Sequence, residues 1–157
     1  MDRILLDNLV ILFALVYYAF LSFVYLIRAH ERNELELKLA PIFSLQMIPL
    51  ASLLTLNLLS GQEVPRLITL LPIIIYLIYD LWYRLLTRRK SVHHPKKWPK
   101  ELVIYLLLLM AGSIGLNWYG YLVSRLYGNI LVVAFFVMMS FFGYYQYMYG
   151  KSMEKRE

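Results

Sequence analysis

The chain has 157 residues, 61% of them hydrophobic, and a formal net charge of +6. A soluble domain averages about 45–50% apolar residues, and here the excess is gathered into long runs, which excludes a water-soluble core. Cysteine is absent, so disulfides, thiolate metal sites, iron–sulfur clusters and cysteine nucleophiles are excluded together. No polar segment is long enough to fold separately in water, so a single membrane domain over 1–157 is expected.

Ile4 to Ile27 is the first apolar run. About 20 helical residues cross a hydrocarbon core of about 30 Å, so 4–27 is the first expected span. The run is longer than a signal core, Asp2 offsets Arg3, and no small-x-small cleavage site follows. It is therefore read as a retained span. Asp7, Tyr18 and Tyr25 share a face, because their separations are close to whole helical turns. Arg28 to Lys38 alternates in charge and reads as a solvated connector.

The second expected span is 39–59. Pro41 lies in its first turn, and Pro49 lies in its middle, where it predicts a kink. Gln46 and Asn57 share a face of this span. Ser60 to Pro65 reads as a turn. The third span, 67–86, carries Pro72 near its start and Tyr76, Tyr79, Asp80, Trp82, Tyr83 and Arg84 in its second half. A basic loop, 87–100, follows. Span four is 101–123, with Gly112, Ser113, Gly115, Asn117 and Gly120 in its second half. Ser124 to Gly128 reads as a turn, span five is 129–149, and the tail is polar.

With five spans, the Lys and Arg residues separate by side. One side takes Arg28, Arg32, Lys38, Arg84, Arg88, Arg89, Lys90, Lys96, Lys97, Lys100, Lys151, Lys155 and Arg156. The other takes Arg3, Arg66 and Arg125. The positive-inside rule makes the rich side cytoplasmic. The N-terminus is then outside and the C-terminus inside, which requires an odd number of spans. The expected fold is an all-α polytopic helical membrane bundle of five transmembrane helices in the plasma membrane, with four as the fallback count. Trp82, Tyr83, Trp98, Tyr144, Tyr145, Tyr147 and Tyr149 fall at the inner boundary, and Trp118, Tyr119, Tyr121 and Tyr127 at the outer one. Both sets read as aromatic belts.

The chemistry-bearing residues are few. Asp80 and Arg84 are four apart on one helix, acid first, the better order for a helical ion pair. Asp80 is also a candidate intramembrane carboxylate for a proton relay or a ligand, together with Gln46, Asn57 and Asn117 as polar neighbours. Those three side chains equally suit interhelical hydrogen bonds, and Gly112, Gly115 and Gly120 suit close helix approach. Arg88, Arg89, Lys90, Lys96, Lys97 and Lys100 are candidate contacts for anionic lipid head groups at the cytoplasmic face. His93 and His94 are adjacent on a loop with no carboxylate beside them, so no metal site and no cofactor are expected. No zinc-protease, nucleophile-elbow or phosphate-loop pattern is present.

The composition leads to a non-catalytic subunit or assembly partner of a larger membrane complex, contacting other membrane subunits or copies of itself and not nucleic acid. A small oligomeric transporter or channel built on Asp80 is the alternative. A lipid-modifying enzyme with Asp80, Arg84, His93 and His94 at the cytoplasmic face is the third.

Overall fold

The computed structural model describes residues 3–30, 45–87 and 100–154, with positions 35, 39 and 42 between the first two stretches. At 83–87, 101–102, 149–150 and 152–154 the description is of the backbone alone. The chain is all-helical among the described residues. Its helices are α1 (Arg3–Ala29), α2 (Met47–Leu59), α3 (Val64–Thr87), α4 (Lys100–Val123) and α5 (Arg125–Glu154).

Four of these helices, α1, α3, α4 and α5, are long and apolar enough to cross a membrane. The 13 residues of α2 rise about 20 Å, short of a 30 Å core. Part of the expected second span lies outside the described residues. The chain is helical at Leu39, Ile42 and Leu45, turns at Gln46 and is helical again from Met47. Pro49 therefore sits in the first turn of α2, three residues past the turn at Gln46. Its missing N–H leaves the Leu45 carbonyl without its helical donor, which accounts for the interruption at Gln46.

Helix α3 starts at Val64, with Pro65 in its first turn, where a proline costs no hydrogen bond. The turn before it is shorter than expected, and Gly61 carries it at φ +66°, a conformation glycine adopts without strain. The α4–α5 connection shrinks to one residue. Ser124 caps α5 through its hydroxyl, which accepts from the Tyr127 N–H at 3.2 Å. Gly120 and Gly128 face each other there; a side chain on Gly120 would stand 3.1 Å from the Gly128 backbone.

Helix α1 is the central element. In an apolar stretch of 18 residues of α1, 61% are buried, against 17% in the matching stretch of α5. Asp7, Tyr18 and Tyr25 all point inward, as their spacing predicts. On one side α1 packs along α5 through aromatic pairs: Tyr18 with Phe135, and Tyr25 with Phe142 and Tyr145. Each such pair contributes about 0.5–1.5 kcal/mol beyond its area. Helix α5 then packs on α4, and α4 on α3, giving an arc α1–α5–α4–α3; α2 touches both ends, α1 and α3.

The α3–α4 contact is the closest. Gly112 lies on the backbone of Ile73, and Gly115 lies on the carbonyl of Thr69. Without a hydrophobic drive between helices in lipid, association depends on such close packing. Tyr119 and Tyr145, expected in the aromatic belts, are core residues instead, whereas Trp82, Trp118, Tyr121, Tyr144 and Tyr147 are exposed.

A leucine at Gly115 has no room against the Thr69 carbonyl. Gly115→Leu should destabilise the bundle by about 3 kcal/mol or more in detergent unfolding. Gly143 has nothing within 4 Å, so Gly143→Ala should be neutral or slightly stabilising in the same assay.

Candidate functional site

The polar side chains of the interior fall at three levels. The first lies where α1, α3 and α5 begin and α2 and α4 end. Asp7, one turn into α1, is 7% exposed. Its Oδ2 accepts from Arg66 Nη1 at 2.7 Å, and its Oδ1 accepts from Tyr119 Oη at 2.7 Å and from Gln62 Nε2 at 3.4 Å. Arg66 also donates to the Leu122 carbonyl at 3.4 Å. Nearby, Arg3 donates to the Gly61 carbonyl at 3.3 Å, and Tyr127 Oη donates to Asn8 Oδ1 at 2.8 Å. One carboxylate thus joins α1, the α2–α3 turn, α3 and α4. An unpaired Asp costs about 2.5–3.5 kcal/mol at the centre of a span and less near its end, and this set of partners offsets that cost.

The second level lies at mid-height. Tyr18 Oη stands 3.0 Å from the Ser113 carbonyl and 2.9 Å from Asn117 Oδ1. A phenol has one hydrogen, so it is shared between two acceptors, or the Asn117 amide turns and donates back. The third level lies in the other half of the bundle. Tyr76 and Tyr105 hydroxyls are 2.7 Å apart, and the Tyr17 ring meets the Tyr76 ring edge-on at 6.4 Å. Asp80, 2% exposed, lies one turn beyond Tyr76 on α3 and within electrostatic range of Tyr17 and Tyr76.

Of the five residues expected as one polar site, the Arg84 side chain lies outside what is described, and Asp80, Gln46, Asn57 and Asn117 stand apart from one another. Asn117 belongs to the middle level and Asp80 to the third. Asn57 is fully buried but donates to the Leu53 carbonyl of its own helix at 2.7 Å. Gln46 is at the opposite end of α2, with Oε1 buried and without a hydrogen-bond partner among the described residues. No hydrogen bond joins any two of the four among the described residues. The Arg84 side chain, Arg88, Arg89, Lys90, His93, His94, Lys96 and Lys97 lie outside what is described; Lys100 is exposed at the start of α4. Among the described residues, no group of three His, Asp or Glu is gathered as for a metal.

The Asp7 cluster is the feature that sequence reasoning missed. Its signal was present. Asp7 interrupts an apolar run, and Arg66 is one of three cations assigned to the same side. Opposite charges at one end of neighbouring helices are a pairing pattern. Compared with known proteins, the chain matches no family model, no curated protein and no solved structure.

Removing one partner of a mostly buried pair leaves the other charge uncompensated. Asp7→Asn should therefore cost about 2–4 kcal/mol of stability. The double variant Asp7→Asn with Arg66→Met should recover part of that loss in the same unfolding measurement.

Proposed function

We propose that this chain is a five-helix integral protein of the plasma membrane, N-terminus outside and C-terminus inside, serving as a non-catalytic subunit or assembly partner of a larger membrane complex. One observation carries the reading: Asp7 with Arg66 and Tyr119, Tyr18 with Asn117, and Tyr76 with Tyr105 are engaged with each other across helices and hold them in register. They form separate levels, with Val10, Ile11, Ala14 and Leu116 buried in the same interior. That arrangement suits a scaffold better than a pore or a reaction centre. The outward face of α5, with Ile130, Val133, Phe136 and Val137 exposed, is apolar surface for lipid or for partner helices.

The orientation rests on charge. The five-span reading assigns 13 of the 16 Lys and Arg residues to the cytoplasmic side. At the other end Asp7 neutralises Arg66. The basic end suits anionic lipid, with each cation near the surface contributing about 1 kcal/mol. Purification at native abundance in mild detergent, with mass determination of the intact particle, should give a stoichiometric hetero-complex. A lone monomer or homo-oligomer would sink the subunit reading.

A second reading, a small oligomeric transporter or channel, is favoured by Asp80. Its carboxylate is buried about 10 Å from the end of α3, with the fully buried Tyr17 and Tyr76 as neighbours. Carboxylates at such depth mark ion and proton pathways in many bundles. In reconstituted vesicles this reading expects ion flux that falls at least about tenfold in Asp80→Asn. Equal flux in the variant counts against it.

A further inference from the structure

The interfaces of the bundle are closed by two kinds of contact. Along the arc, backbone meets backbone at Gly112 and Gly115, the Gly120–Gly128 corner closes α4 on α5, and rings stack between α5 and α1. The two ends of the arc differ. The backbones of α1 and α3 stay more than 8 Å apart, and α1 approaches α4 within that distance only briefly. Helix α2 touches both ends, with Leu50 and Asn57 fully buried, and the rest of the seam is filled by a column of long side chains. Asp7 with Arg66 and Tyr119 closes one end, Tyr18 reaches Ser113 and Asn117 in the middle, and Tyr17 meets Tyr76 beyond.

We propose that this seam is a built-in opening of the bundle and that the Asp7–Arg66 pair is the latch that holds its end shut. The asymmetry of the contacts carries the proposal. A neutral hydrogen bond exchanged for bonds to water changes the free energy little, and the charged pair at the end is the costlier contact to part. Close packing of glycine on backbone has no such substitute, because water does not replace the lost dispersion contacts. The seam is therefore where the bundle opens at least cost.

A second observation points the same way. Arg66 Nε is buried and has no hydrogen-bond partner among the described residues. Water entering the seam would satisfy it, which lowers the cost of hydrating that end. On opening, α3 and α4 move together, joined at Gly112 and Gly115, while α1 stays with α5. Tyr17 and Tyr76 then part, and Asp80 gains a route to water from the Asp7 end. The proposal holds whether the chain is a scaffold or a transporter.

Because the chain has no cysteine, an introduced thiol is the sole one. Ser113→Cys places it in the seam with little change of volume, and Met138→Cys places it at a fully buried position of α5 outside the seam. Each is made in the full chain, with the latch intact and with Asp7→Asn. The reaction rate with a small charged methanethiosulfonate is then measured. Ser113→Cys should react at least about tenfold faster once the latch is lost, and Met138→Cys should not change. Tyr119→Phe removes one bond to Asp7 but keeps the ion pair, and should give an intermediate rate. It decides the matter if Asp7→Asn does not fold. Equal Ser113→Cys rates with and without the latch overturn the proposal. So does a parallel rise at both thiols, which would mean general loosening.

Discussion

Everything about the placement of α1 depends on one carboxylate at the edge of an apolar helix. Asp7 has too few options to be left to chance: it meets a cation, stays near water, or carries a proton. Here it meets Arg66 at 2.7 Å, with Tyr119 as a second donor. That contact fixes the rotation of α1 about its own axis. Because the helix repeats every 3.6 residues, fixing Asp7 also turns Tyr18 and Tyr25 inward. The ion pair at one end therefore determines which aromatic faces are available to α4 and α5 much further along.

The rest of the bundle is assembled by shape. In lipid, burying a leucine against another helix gains little over leaving it among acyl chains, so small residues and rings carry the association. The division is visible here. Glycines on α4 let α3 approach to backbone contact, and aromatic residues fill the wider space between α1 and α5. Pro72 lies between Thr69 and Ile73, the two residues that the glycines touch. The proline that loosens α3 is thus set where α4 supports it most closely.

How much of this was legible in the sequence follows from which physical signals are local. Helix class and the ends of α1 and α4 are local properties of apolar runs, and they emerge directly. The shared face of Asp7, Tyr18 and Tyr25 follows from helical period alone. The one-residue turn at Ser124 was not legible, because Arg125 to Gly128 resemble loop residues in composition. Their helical state depends on the Ser124 cap and on the Gly120–Gly128 approach. The role of Tyr119 was also hidden. Beside Trp118 it looks like a head-group anchor, and only the rotation of α4 sends one ring outward and the other to Asp7. The polar residues Gln46, Asn57 and Asn117 were recognised as buried-type groups, but their separation along the bundle is a tertiary fact.

The central position of α1 also bears on how the molecule is made. It precedes its partners α2 to α5 in the chain, yet its longest packing surface belongs to α5, which follows the other three. Arg66 follows Asp7 by 59 residues, which is a delay of about 3–12 s at ordinary translation rates. During that interval Asp7 has only Arg3, one turn away on its own helix, as a nearby cation, and the inward tyrosines of α1 face lipid or the insertion machinery. The partners that fix α1 are thus supplied after it, from α3, α4 and α5 in turn, so the centre of the bundle is made before what holds it.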